Sequence, residues 1–207
     1  MSRPECAPQA LHAFLRSRRS VRRFAPRPVP EAVLRRVLDT ARWAPSAHNR
    51  QPWRWVVLAR PETRRALADA MGQAFRRDLE ADGLPPAEID ARVERSRRRL
   101  LEAPVALILA VDLSVGDAYP DPARQQAERT MLVQSAALGG LQLLLAAHAE
   151  GLAGVWTCGP LFVPALVRRV LNLPQAWEPQ ALFFLGYPAQ EPAPPPRRAL
   201  DEVVVWR

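Results

Sequence analysis

Apolar positions along the 207-residue chain fall into helical and strand rhythms that alternate from one end to the other. Leu11, Phe14 and Leu15 share one face of a short helix over 9–18, and Val33, Leu34, Val37, Leu38 and Ala41 share one face of a second. Pro30 and Glu31 open that second helix, as a first-turn proline and acid favour. The β-branched and aromatic run 53–59 predicts a first strand. Two charged helices are expected over 61–79 and 86–101, broken by Asp82-Gly83-Leu84-Pro85. The almost wholly apolar stretch 105–112 predicts a central strand covered on both faces. After a turn-rich loop, 123–149 predicts the longest helix, and 153–157, 163–171 and 181–186 read as strand, helix and strand. The tail differs from the rest. Residues 188–196 are proline-rich and extended, and Val203-Val204-Val205 carry a strand signal near the end of the chain. Such a strand either folds back onto its own sheet edge or joins the sheet of a second copy, which makes 188–207 a candidate dimerising arm.

Size and composition fit one domain of 1–207, because a typical domain has about 100 to 200 residues and 48% hydrophobic content supports a packed core. The formal charge is +8, and with no lysine in the sequence every side-chain cation except a protonated histidine is a guanidinium, a planar fork suited to phosphate and carboxylate. Richness in Ala, Pro and Arg makes the missing lysine a matter of overall composition, so the arginines that matter must be found by their positions. Cys6 and Cys158 lie far apart and no secretory segment precedes them, so neither a disulfide framework nor export is expected and a reducing cytoplasm is the simplest compartment. The longest apolar run, 131–147, is interrupted by Gln134, Gln142 and Gly139-Gly140, which predicts a buried helix and no membrane span.

Two segments could carry chemistry. Arg18-Arg19-Ser20-Val21-Arg22-Arg23-Phe24 places four arginines and a hydroxyl within six residues, enough to converge several charge-assisted hydrogen bonds on one phosphate, or simply a solvated basic patch. The loop between Pro45 and Pro52 offers Ser46, Asn49 and Gln51 between rigid prolines, either as a capped turn or as a donor and acceptor set for the edge of a planar heterocycle. The sequence contains neither a GxGxxG nor a Walker-type loop, which argues against a Rossmann dinucleotide enzyme and a P-loop nucleotidase. His12, His48 and His148 show no metal-ligand spacing, and Cys158 has no histidine near it in sequence to activate it as a nucleophile.

The order of these segments is informative. RRSVRRF, then a PVP stretch and an amphipathic helix, then APSAHNRQPW running into a strand, with GVWTCG, WEPQALFFLGYP and PPPRRALDEVV further on, resembles the FMN-dependent nitroreductase family over nearly the whole chain. The resemblance implies an α+β fold, with a central mixed β-sheet flanked by helices and a C-terminal strand exchanged in a homodimer. It also implies FMN sites shared between the two copies. Carried over by motif, Arg18, Arg19, Ser20, Val21 and Arg22 hold the phosphate and ribityl chain, with Arg197 completing the clamp and Arg198 as its neighbour. Pro45, Ser46, Ala47 and Asn49 come from the other subunit, with His48 in the same loop. Thr157, Cys158 and Gly159 present backbone to the other edge of the flavin. Trp156-Thr157-Cys158-Gly159 departs from the family's WIG-type segment at this point. No side chain of the chain is implied as the catalytic group, because the flavin carries the hydride.

A narrower resemblance joins residues 75–84, Glu102-Ala103-Pro104, Tyr119-Pro120-Asp121, Ala123-Arg124, residues 127–131 and Trp177-Glu178-Pro179 to the C-terminal FMN domain of the bifunctional enzyme of coenzyme F420 biosynthesis. It implies reduction of a dehydro-F420 precursor or binding of F420 species, with Asp78 and Arg77 on the substrate side and a separate F420 ligase as a possible partner. Residue 1 stands almost at the flavin motif, so glutamate ligation is not expected of this chain. The competing expectation is a general nitroreductase or enone reductase that draws hydride from NAD(P)H and passes it on in a ping-pong cycle. Nucleic acid binding is not expected, because no recognisable module accompanies the basic charge.

Overall fold

A computed structural model describes residues 7–190 and 192–207. Cys6 lies outside them. The elements follow in the order α1 (Pro8–Ser17), α2 (Glu31–Ala41), β1 (Trp53–Val57), α3 (Pro61–Ala81), α4 (Pro86–Glu102), β2 (Val105–Asp112), α5 (Pro122–Ala149), β3 (Ala153–Thr157), α6 (Gly159–Phe162), α7 (Pro164–Leu171) and β4 (Trp177–Gly186).

The strands form one sheet in the order β1-β2-β4-β3, and all three ladders are antiparallel. The mixed character expected of the sheet is confined to one parallel bridge, Ser20 to Gly154, through which the residues after α1 run along the outer edge of β3. Every residue of β2 is buried, as its unbroken apolar run requires. Its alternate side chains feed two cores. Leu107, Leu109 and Val111 pack with α2 and α5, while Ala106 and Ile108 pack with α3, α4 and α7. β4 starts earlier than the apolar pattern suggests. Leu109 pairs with Ala181 but Ala110 pairs with Pro179, so Gln180 is the extra residue of a β-bulge, which absorbs a proline that cannot donate to a regular ladder.

α5 is long and apolar enough to cross a membrane, yet half of its most apolar stretch is buried inside the fold. The glycine pair reveals why. A Cβ on Gly139 would stand 3.3 Å from the Trp53 ring, and one on Gly140 would collide with Trp156 and Phe183. Three bulky rings therefore seat against the helix where these two residues have no side chains.

The tail makes no strand with its own chain among the described residues. Ala25 donates to Tyr187 O, Ala189 donates to Arg23 O, and beyond this anchoring the chain runs exposed through a single turn at Leu200–Glu202. Val205 and Trp206 are 76% and 85% exposed. The strand signal of 201–206 is thus unpaired within the subunit, since a strand exists only where a ladder partner does.

Candidate flavin site

α1 ends at Ser17, and the chain then lies extended along β3, held by the Val21 N–H donating to Gly154 O at 3.1 Å. Gly154 lets Leu185 and Leu144 pack close against β3, because a Cβ there would stand 2.5 Å from Leu185 and 2.9 Å from Leu144. Val21 is buried and serves as the anchor. The arginines around it separate to two sides. Arg18 and Arg19 line a cavity of about 440 Å³ on the α5 side, together with Gly154, His148 and the tail prolines Pro188, Pro192 and Pro194. Arg22 and Arg23 line a second cavity of about 590 Å³ on the α4 side. The six-residue cluster expected to converge on one anion is therefore divided, the pair before the Ser20 bridge lining one cavity and the pair after it the other.

The first cavity has the electrostatics of an anion cradle. Arg18 Nη1 is buried with no hydrogen-bond partner. Burial, and after it the charges of Arg19 and Arg197, hold the Arg18 pKa below the ordinary guanidinium value. The charge of Arg197 in the tail is therefore felt at Arg18. Arg19 is oriented by donating to Arg18 O at 3.0 Å. Ser20 stays exposed at the bridge to β3. Three guanidiniums together, one with a buried unsatisfied N–H, fit a phosphate group such as that of FMN.

The second cavity has an apolar floor of Val155 and Phe184, with Thr157 beside them. Arg95, Arg98 and Arg99 reach it from α4, where positions i, i+3 and i+4 share one face. Burial, followed by Arg22, Arg95 and Arg98, lowers the Arg99 pKa. A smaller cavity of about 300 Å³ shares Arg95, Arg99, Thr157 and Phe184 with it and extends to Gly159, Met71 and Phe75. Thr157 Oγ1 donates to Leu182 O at 2.8 Å, and the Trp156 indole N–H donates to Cys158 Sγ at 3.2 Å, which fixes the turn where β3 ends. Sequence reasoning treated α4 only as a charged helix and singled out none of its arginines, of which Arg95, Arg98 and Arg99 reach the cavity. The Arg95, Arg98, Arg99 spacing was the available signal.

The Pro45–Pro52 loop is strained. His48, Asn49 and Gln51 all have φ near +50°, a left-handed conformation that costs a non-glycine residue roughly 1 kcal/mol or more. Surrounding contacts hold it in place. Ser46 Oγ accepts from the Gln51 N–H at 3.0 Å, and the Ala47 N–H donates to Ser135 Oγ on α5 at 3.1 Å. Arg50 pairs with Asp117 at 2.5 Å, and the Asp117 N–H donates to Glu128, a carboxylate only 3% exposed. None of the cavities described above is lined by both this loop and the arginines, so within one chain Pro45, Ser46, Ala47 and Asn49 stand apart from the cradle. Arg77 and Asp78 also lie away from these cavities, exposed on α3, because the same helical turn directs Ala74 and Leu79 inward.

The model of the nitroreductase family matches residues 15–187. A protein described as NADH dehydrogenase from Thermus thermophilus is 37% identical, covering 92% of this chain and 92% of its own. Among solved structures, a nitroreductase-like family protein from Bacillus cereus has a TM-score of 0.76 at 21% identity, covering 100% of this chain and 99% of that one. The NADPH:FMN oxidoreductase from Vibrio harveyi complexed with NAD+ has a TM-score of 0.73 at 21% identity, covering 94% of this chain and 76% of that one.

Proposed function

Because this chain belongs to the nitroreductase family and is an FMN-dependent oxidoreductase, we propose that it passes hydride from NAD(P)H to a small organic acceptor in the cytoplasm, at sites built from two copies of the chain. The buried, unpartnered Arg18 Nη1 beside Arg19 and Arg197 carries the reading. Arg18, Arg19, Ser20 and Arg197 hold the FMN phosphate, and Arg22 lies toward the ring. When bound, FMN supplies the reversible two-electron chemistry. The chain's share is orientation and charge. Backbone at Thr157, Cys158 and Gly159 lines the reactive edge, while the arginine-rich wall favours negative charge on the ligands gathered there.

The strained loop of a second copy, with its Pro45, Ser46, Ala47 and Asn49, completes each site. Its separation from the arginines within one chain supports this, as do the exposed Leu138 and Leu141 on α5 and the unpaired tail, which give a partner a surface to cover. Cys158 acts through its backbone, with its sulfur turned toward Trp156. Purified protein tests the reading. It should be yellow, oxidise NADH or NADPH, and give parallel double-reciprocal lines as donor and acceptor are varied. Absence of flavin together with absence of NAD(P)H oxidation would refute it.

The role in F420 biosynthesis is a narrower form of the same proposal. It rests on the 75–84 and Tyr119-Pro120-Asp121 segments, whereas the relatives' names favour the NAD(P)H reductase. Titration of the yellow protein with F420 and its dehydro precursor decides between them, since binding or turnover of either would favour the narrower form.

A further inference from the structure

We propose that the redox partner of this site is a planar molecule bearing carboxylate or phosphate groups, recognised by Arg22, Arg23, Arg95, Arg98 and Arg99 around the larger cavity. The proposal rests on the flavin reading above and adds the chemical class of the second ligand.

Three observations carry it. The cavity of about 590 Å³ brings five guanidiniums together against a single carboxylate, Glu102, over a floor of Val155 and Phe184. Three other arginines of the α3–α4 pair are neutralised, Arg76 by Asp90, Arg92 by Glu88 and Arg97 by Asp69, whereas none of the five makes an ion pair among the described residues. The mutual repulsion is felt at Arg99, whose pKa is lowered by burial and then by Arg22, Arg95 and Arg98.

FMN alone leaves much of this charge unmatched. Its phosphate belongs with Arg18, Arg19 and Arg197 on the other side of the 18–24 segment, and its ring system carries at most a single negative charge. The adjoining cavity supplies Met71 and Phe75, apolar surface for a flat ring. A site with an apolar floor and a cationic wall discriminates by charge and draws acidic ligands in over distances comparable to the Debye length. The acidic group could belong to the acceptor or to the donor, where the 2′-phosphate of NADPH adds charge that NADH lacks.

The test uses the FMN-loaded protein and matched pairs of substrates. Values of kcat/KM are compared for para-nitrobenzoate against para-nitrobenzamide, and for NADPH against NADH with the neutral acceptor, at low and high salt. The acidic member of at least one pair should be favoured about tenfold at low salt, and the advantage should shrink as salt rises. In Arg23→Gln and Arg98→Gln the ratio should fall severalfold with flavin content at the wild-type level, and the pair that responds identifies the source of the charge. Equal kcat/KM within both pairs in flavin-loaded protein would overturn the proposal and leave the flavin reading intact. Variants that lose FMN affinity but keep the ratio would overturn it too, by assigning these arginines to the cofactor. A protein that takes up no FMN would overturn both.

Discussion

Replacing Arg18 by Ala should weaken FMN binding strongly without destabilising the empty protein. In the free chain Arg18 Nη1 is buried and unpartnered, and the charge is crowded by Arg19 and Arg197, so its removal relieves repulsion and a desolvated donor. On the proposed reading the same group makes a charge-assisted hydrogen bond to the FMN phosphate, worth about 1.5 to 3 kcal/mol. At about 1.4 kcal/mol per decade this corresponds to a loss of roughly 10- to 150-fold in affinity. Flavin-fluorescence titration of apoprotein measures it, with riboflavin as the control because riboflavin lacks the phosphate. The expected result is a large loss for FMN, little change for riboflavin, and an apoprotein Tm equal to or above that of the parent. An FMN Kd within twofold of the parent, or an equal loss for riboflavin, would refute the reasoning.

Other expectations follow from the packing and charges. Asp117→Asn removes the ion pair that restrains Arg50, so the strained loop should relax and kcat/KM should fall about tenfold at nearly unchanged Tm, measured by steady-state assay and thermal melt; unchanged kcat/KM would contradict it. Gly140→Val drives a side chain into Trp156 and Phe183 and should cost roughly 1 to 3 kcal/mol, read as a Tm drop of several degrees. For Asp112, burial raises the carboxyl pKa, but hydrogen bonds from the Ser114 hydroxyl and N–H and the charge of Arg54 outweigh it and hold the pKa below the ordinary value. A depressed folded-state pKa contributes stability above the unfolded value of about 3.9 and loses it as pH falls through the folded value, so the Tm should drop at acid pH and Asp112→Asn should flatten that limb.

The elements were legible wherever one periodicity ruled. β2 and α5 stood out because long apolar runs demand cover, and β3 because Val155, Trp156 and Thr157 are β-branched or aromatic. The beginning of β4 was hidden because Pro179 reads as a strand breaker, and only the bulge at Gln180 makes it tolerable. The candidate site was legible as segments and not as a shape. RRSVRR announced cations, but its division between two cavities depends on the segment lying along β3, a contact between residues far apart in sequence. The α4 arginines were hidden among arginines of the same helix that merely pair with acids. Nothing local betrays that Arg97 meets Asp69 while Arg98 meets a cavity. The Pro45–Pro52 loop gave its polar groups but not its strain, which exists because Ser135, Asp117 and Glu128 impose it from other elements.

Native mass spectrometry of the purified protein tests the central claim, a flavin site completed by a second copy, most directly. The account predicts one species with the mass of two chains and two FMN molecules, and loss of FMN whenever the dimer is split into single chains. A monomer that retains FMN, or a dimer that binds none when FMN is supplied in excess, would contradict it.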